Sequence, residues 1–186
     1  MIFDSVVESV LQEVEIDATV SRPYIAHYKG EKLRSLCIGL SARSGALTYR
    51  TRGLEGVYRL LSRWLYQSVP RESFSFSSIT INRNHASAVH RDVGNKGPSI
   101  IRTMGNYEGG ALFVFQQDDG TAPLGDVLEG PKSSIDTTEF ARFDGNQAHG
   151  VTPFQGDRSS IIFFSTLTSE GEEAQMNLQW LQEWQQ

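Results

Sequence analysis

From Phe74 onward the chain is a succession of short β-forming stretches separated by Gly-, Asn-, Asp- and Pro-rich turns, and this limits the fold more than any other feature. Candidate strands cover 76–82, 99–104, 111–117, 138–143, 149–154 and 159–167. The turn signals between them are Gly94-Asn95-Lys96-Gly97-Pro98, Gly109-Gly110, Asp118-Asp119-Gly120 and Asp144-Gly145-Asn146. Strands this short and this numerous bury their apolar faces only by closing on one another, as a sandwich or barrel. Residues 119–137 read as a loop long enough to cover a site.

Helical periodicity brackets this β region. Phe3, Val6, Val7, Val10, Leu11 and Val14 recur at three and four, predicting a helix over 3–16 with Asp4 as a cap candidate. A strand follows over 33–40. A second helix over 54–67 carries Val57, Leu60, Leu61, Trp64 and Leu65 on one stripe, which reads as a packing face. A last helix over 171–184 carries Ala174, Met176, Leu178, Trp180, Leu181 and Trp184. The expected class is mainly β with flanking helices, in one domain: residues 1–70 as support, 74–167 as the β core and 171–186 as a closing helix.

Composition narrows the setting. With 186 residues, 39% hydrophobic and 21% charged, the chain suffices for one full core. No apolar run reaches the length of a membrane span, and the start Met1-Ile2-Phe3-Asp4 lacks the basic opening of a signal peptide. The one cysteine, Cys37, lies in the apolar run Leu36-Cys37-Ile38 and reads as a buried thiol. With no disulfide framework and no cysteine-based zinc site, an intracellular setting is expected.

The net charge of −5 is unevenly spread. Residues 21–66 carry nine Lys/Arg against two Glu, while 101–186 carry four against thirteen Asp/Glu. Arg43, Arg50, Arg52, Arg59 and Arg63 form a basic set that suits a phosphate backbone. The same arginines suit a solvated helix face equally well.

His90-Arg91-Asp92, then His149, then Arg158, carry the chemistry. Two imidazoles and a carboxylate are the ligand set of a non-haem Fe(II) facial triad, which leaves the remaining positions open for a co-substrate and O2. In a strand, residues i and i+2 share a face, so His90 and Asp92 can reach one metal together. Arg158 adds a planar two-pronged cation suited to a carboxylate. The run from His149 through Gln155-Gly156-Asp157 to Ser165 reads as a hairpin, which would return Arg158 beside His149 with Ser160 on its face. His27 and His85 lack such partners and read as surface or loop residues, with the rim of the site as the alternative reading for His85.

Asn82-Arg83-Asn84, His90 to Ser99, Gly105 to Leu112, Phe143 to Phe154 and Gly156 to Ser160 together resemble the 2-oxoglutarate/Fe(II)-dependent dioxygenases. Among these, the resemblance is to the TET/JBP branch of nucleobase hydroxylases. It covers a little under half of the chain. It implies a double-stranded β-helix (jelly-roll, cupin-like) core, with Fe(II), 2-oxoglutarate and O2 as the working set. His90, Asp92 and His149 would bind the iron. Arg158 would pair with the distal carboxylate of 2-oxoglutarate and Ser160 would hydrogen-bond it, while Asn82 and Asn84, alternating on a strand that faces the site, would touch the co-substrate or cap a strand end. Asn95, three residues past the metal Asp, would read a methylated pyrimidine (5-methylcytosine or thymine) in DNA; its other reading is a turn residue beside Gly94 and Gly97. A duplex substrate would have its base extruded to reach the metal. Tyr107, Phe113 or Phe115 would be available to stack on it, although alternation favours the core for the two phenylalanines.

The departures from the family pattern also matter. One cysteine excludes the zinc-binding cysteine-rich region of the animal TET enzymes. The AlkB repair branch carries a second Arg six residues after the first, where this chain has Phe164. Prolyl hydroxylases usually carry an upstream aromatic where this chain has Asn82 and Asn84. Hydroxylation of a small molecule or protein side chain, and a catalytically silent binding module, stand as rival readings.

Overall fold

A computed structural model describes residues 1–16, 18–19, 33–167 and 171–186. His27 and part of the basic stretch lie outside them. The helices are α1 (Asp4–Glu13), α2 (Glu55–Tyr66), the single turn α3 (Leu124–Val127) and α4 (Glu172–Trp184). The strands are β1 (Ala18–Thr19), β2 (Leu33–Gly39), β3 (Ser78–Arg83), β4 (Ser99–Met104), β5 (Tyr107–Gly109), β6 (Leu112–Val114), β7 (Ser133–Ile135), β8 (Ala141–Phe143), β9 (His149–Val151), β10 (Phe154–Gly156) and β11 (Ser159–Phe164).

An antiparallel sheet of six strands, ordered β1-β2-β3-β11-β4-β8, forms the main wall. A smaller sheet, β7-β6-β9, and the pair β10-β5 lie apart from it. Both faces of the main wall are covered. One packs against the helices: Val7 and Leu11 of α1, Tyr58, Leu61, Trp64 and Leu65 of α2, and Leu181 and Trp184 of α4 join Ile38, Ile79, Ile81, Ile100, Ile161 and Phe163 in one cluster. The other meets the small sheet, where Ile101 and Phe143 join Leu112 and Val114, with Ile162 and Val151 packed alongside. Strand β4 is therefore buried at all six positions, as expected for a strand with cover on both sides.

Several local expectations are revised. Asp4 does not cap α1: the cap position is Phe3, and the Asp4 carboxylate instead accepts from Trp64 Nε1 at 2.9 Å and Arg102 Nη2 at 2.6 Å. Arg102 projects into the helix-facing core, where its guanidinium lies 5.1 Å from the Trp64 ring and 5.0 Å from that of Phe140. That tie anchors α1 to the wall through a cation flanked by aromatic faces. Cys37 is half-buried, because Leu36 and Ile38 take the core side of β2 and alternation turns Cys37 away from it. Met176 is 71% exposed, off the packed stripe of α4. The stretch 119–137 is not wholly loop, since it holds α3 and β7.

The expected hairpin from His149 to Ser165 does not form. Strand β9 pairs with β6, β10 pairs with β5, and β11 enters the main wall between β3 and β4. Pro153 follows β9 and offers no N–H to extend a ladder. The chain then crosses the segment around Asn106 so closely that a Cβ on Gly156 would lie 2.2 Å from the Asn106 carbonyl oxygen, and one on Gly105 2.2 Å from that of Asp157. Both glycines have positive φ, which a side chain would also oppose.

The two-sided wall sets a contrast in stability. Phe163→Ala, at a fully buried position, is expected to cost about 3–5 kcal/mol. Val93→Ala, at a residue 75% exposed, is expected to stay within about 0.5 kcal/mol. Chemical denaturation midpoints of the two variants check this.

Candidate metal centre and anion pocket

His90 and His149 are paired directly across two chain segments. His90 N–H donates to the His149 carbonyl at 2.9 Å, and His149 N–H returns to the His90 carbonyl at 3.0 Å. In a mutually bonded antiparallel pair the two side chains emerge on the same side, and the ring centroids are 4.4 Å apart. Each imidazole is held identically: His90 Nδ1 lies 2.8 Å from the Ala88 carbonyl, and His149 Nδ1 lies 2.8 Å from that of Gln147. With Nδ1–H donating to a carbonyl, each Nε2 presents a lone pair, as a metal ligand requires.

Asp92 completes the set, though not as the neighbour of His90 on a regular strand. His90 occupies an isolated bridge, and the chain beyond it bends into a turn closed by Asn95 N–H to the Asp92 carbonyl at 2.9 Å. Asp92 N–H is held by the Gly145 carbonyl at 2.7 Å. This places Asp92 Oδ1 3.6 Å from His90 Nε2 and Oδ2 3.8 Å from His149 Nε2. All three donor atoms lie within 4.8 Å of one another, the spacing of a group able to hold one metal ion. Burial pushes the His149 imidazole pKa down, favouring the neutral form that ligates, while the nearby Asp92 carboxylate opposes that shift.

Arg158 immediately precedes β11 and is 2% exposed. Its guanidinium lies 5.5 Å from the centre of the Tyr107 ring and 5.8 Å from that of Phe154. Among the described residues, its Nε and Nη2 find no hydrogen-bond partner. Burial pushes its pKa down and the Tyr107 side chain pushes the other way. An almost fully buried cation with unfilled donors is costly unless an anion joins it. Gly110 makes the room: a Cβ there would stand 2.9 Å from Arg158 Cδ and Nε. Beyond its expected part in the turn, Gly110 thus leaves space for the arginine.

A row of small polar residues crosses the wall beside Arg158. Ser35 pairs with Asn82, Asn82 with Ser160, and Ser160 with Thr103. Asn82 Nδ2 is 3.4 Å from Ser160 Oγ, and Thr103 Oγ1 is 2.7 Å from the Tyr107 hydroxyl. Asn82, Ser160 and Thr103 thus stand side by side on three neighbouring strands, with Ser160 two residues past Arg158.

Two expected site residues are placed differently. Asn84 lies past the end of β3 with φ 51°, and both ends of its amide serve the neighbouring turn. Its Oδ1 accepts from Arg158 N–H at 2.7 Å and its Nδ2 donates to Asp157 Oδ1 at 3.0 Å. It holds the backbone that carries Arg158, in keeping with its reading as a strand-end residue. Asn95 is 7% exposed, and its Nδ2 lies 3.4 Å from both Asp92 Oδ2 and Ser99 Oγ. The amide is turned onto the metal carboxylate.

Sequence reasoning passed over Arg91 and Asp118. Asp118 read as a turn residue, yet its carboxylate is fully buried and is gripped by Arg91 through two bonds of 2.7 and 2.6 Å. The Arg91 guanidinium holds its pKa down at about 2. No spacing signal in the sequence marks this pair. His85 is a half-buried loop residue. Of the basic set, Arg59 pairs with Glu55 at 2.8 Å and Arg50 donates to the Glu15 carbonyl, whereas Arg43, Arg52 and Arg63 are exposed. Phe115 is buried and meets Phe113 edge-on at 6.0 Å.

No family model and no curated protein matches the chain significantly. Among solved structures, an oxidoreductase of the 2OG-Fe(II) oxygenase family from Burkholderia pseudomallei superposes with a TM-score of 0.56 at 15% identity, covering 86% of this chain and 76% of that one. A prolyl hydroxylase from Trichoplax adhaerens, solved with a hypoxia inducible factor peptide, aligns at a TM-score of 0.45 and 12% identity, over 85% of this chain and 73% of that one. At these identities likeness speaks for fold alone. The fold is that of the 2OG-Fe(II) oxygenases, a jelly-roll core of the double-stranded β-helix type.

Two outcomes test the site. Asp92→Ala is expected to weaken binding of a divalent metal by more than the roughly 10–100-fold typical of losing an outer-shell partner, as read by calorimetry with Mn(II). Gly110→Ala is expected to displace Arg158 and weaken 2-oxoglutarate binding while sparing metal binding. Unchanged co-substrate affinity would remove the spacing role of Gly110.

Proposed function

We propose that the chain is an Fe(II)- and 2-oxoglutarate-dependent dioxygenase. Arg158 carries this reading, as a nearly fully buried cation with unfilled donors on the same fold as a three-donor cluster of two imidazoles and a carboxylate. The distance between the two features supports it. Val114 at the end of β6 pairs with His149, and Gly110, two residues before that strand begins, packs on Arg158. On β4, Ser99 lies by Asn95 and Thr103 by Tyr107. Ser99 and Thr103 are four residues apart on β4, roughly 13 Å along the strand. An arginine side chain and a short dicarboxylate together span such a gap.

The donor set suits Fe(II), since two neutral imidazoles and a carboxylate on one side leave the other side for small ligands. When bound, the iron with 2-oxoglutarate and O2 supplies the oxidising chemistry that places one oxygen in a substrate C–H bond and yields succinate and CO2. The chain's own residues do the positioning. His90, Asp92 and His149 hold the metal on one face. Arg158 pairs with the distal carboxylate through its two-pronged head, and Ser160 and Asn82 hydrogen-bond beside it. Ile101, Leu112, Val114 and Phe143 form the dry wall between the sheets.

The substrate reading we favour is a methylated pyrimidine in DNA. The motif resemblance and the exposed Arg43, Arg52 and Arg63 support it. Hydroxylation of a small molecule or protein side chain is the second reading, favoured by the position of Asn95: an amide engaged with Asp92 and Ser99 is less free to read a base edge. A silent binding module is disfavoured by a donor set complete enough for metal.

Incubation with Fe(II), 2-oxoglutarate and DNA containing thymine and 5-methylcytosine, followed by nucleoside mass spectrometry, tests both levels. The expected outcome is a base gaining one oxygen, lost in His149→Ala. Succinate formed with unchanged bases would move the search to other substrates; no succinate from metal-loaded protein would overturn the dioxygenase reading. Arg158→Ala should raise the KM for 2-oxoglutarate by about 30-fold or more, corresponding to roughly 2 kcal/mol for a lost charge-assisted bond.

A further inference from the structure

We infer that Asp118 and Arg91 form a brace that sets the positions of both histidines, a positioning role that rests on the metal-centre reading above. Arg91 lies between His90 and Asp92. It grips Asp118 with Nε to Oδ2 at 2.7 Å and Nη2 to Oδ1 at 2.6 Å. The same carboxylate accepts the N–H of Ala148, the residue before His149, on Oδ2 at 2.5 Å, and that of Gly120 on Oδ1 at 3.0 Å. One carboxylate thus bonds the immediate chain neighbour of each histidine.

The geometry makes that contact consequential. Each imidazole is aimed by the carbonyl two residues before it, at Ala88 and Gln147. The ring positions therefore follow the backbones of 88–90 and 147–149. Those backbones are tied to each other by the His90–His149 pair, and Asp118 supplies the second tie. The segment bearing Asp118 is itself held to the second histidine: Phe115 N–H donates to the Ala148 carbonyl at 2.9 Å, and Gln147 Nε2 donates to the Gln116 carbonyl at 3.0 Å. Arg91 also donates to the Ala122 carbonyl at 2.9 Å, carrying the tie into the segment that follows. Arg91 is 14% exposed at its side chain and Asp118 is fully covered there, so water competes little for these bonds.

A brace only for folding would affect stability alone. A brace for the metal would affect affinity and coordination. Full-length protein freed of metal and titrated with Co(II) reports both, through the binding constant and the visible ligand-field bands. Asp118→Asn is expected to weaken Co(II) binding about 10–100-fold and to shift those bands. Arg91→Lys, which keeps the charge and loses the fork, is expected to do the same to a lesser degree and serves if Asp118→Asn does not fold. The double variant Arg91→Met/Asp118→Asn should lose little beyond Asp118→Asn, because the two act through one contact. Asp119→Asn, at an exposed turn carboxylate, should leave binding unchanged. Folded Asp118→Asn and Arg91→Lys proteins with Co(II) affinity within about twofold of wild type and unaltered bands would overturn the brace, whatever their melting temperatures. A wild-type protein that fails to bind Co(II) would overturn the metal-centre reading itself.

Discussion

A strand buried on both faces is the constraint on which the rest of the structure depends. Strand β11 lies between β3 and β4 in the main wall. Ile161 and Phe163 seat the helix layer, while Ile162 packs toward the small sheet and Ser160 and Arg158 join the same interior. Period-two alternation assigns the two sets to opposite sides. The helix-facing side supplies the apolar burial that stabilises the domain. That stability lets the other side hold groups that cost free energy to bury, namely a guanidinium with unfilled donors and a row of hydroxyls and amides.

The interior is polar at both ends and apolar between them. At one end the His90–His149 pair fixes two imidazoles across a backbone bridge, and Asp92 swings in from the following turn, held by Gly145. At the other, close chain crossings at Gly105, Gly156 and Gly110 give Arg158 its place. Ile101, Leu112 and Val114 lie between. A ligand with a chelating head and a distant carboxylate suits this division: the apolar middle strengthens both terminal interactions by keeping water from them.

Much of this was legible in the sequence because it rests on local patterns. Three long helices, β2, β3, β4 and β11 all follow from periodicity, since each has enough residues to show its repeat. Strands β6, β8 and β9 lie within the longer candidate stretches 111–117, 138–143 and 149–154, whereas β5, β7 and most of β10 lie outside any candidate stretch and exist only through their partners. Asn82, Ser160 and Arg158 all belong to the motif, and Asn82 and Ser160 meet across β3 and β11, two residues along from Arg158. For Asn84 the sequence left two readings open, and the left-handed backbone at the end of β3 makes it an anchor of the neighbouring turn. Asn95 showed its spacing from Asp92 but not the direction of its amide. Asp118 looked like any Asp in an Asp-Asp-Gly turn, and only the fold revealed Arg91, Ala148 and Gly120 around it.

The sequence by itself determined which residues carry metal-ligating and anion-pairing groups and that short strands must close on one another, because residue type and alternation are local properties of the chain. The tertiary structure alone decided how those residues meet. It replaced a hairpin after His149 with strands in three separate sheets, since Pro153 breaks the ladder and the glycine crossings redirect the chain. It also decided that one buried carboxylate would join both histidine segments, because a contact between residues 27 and 30 positions apart in the chain has no local pattern to announce it.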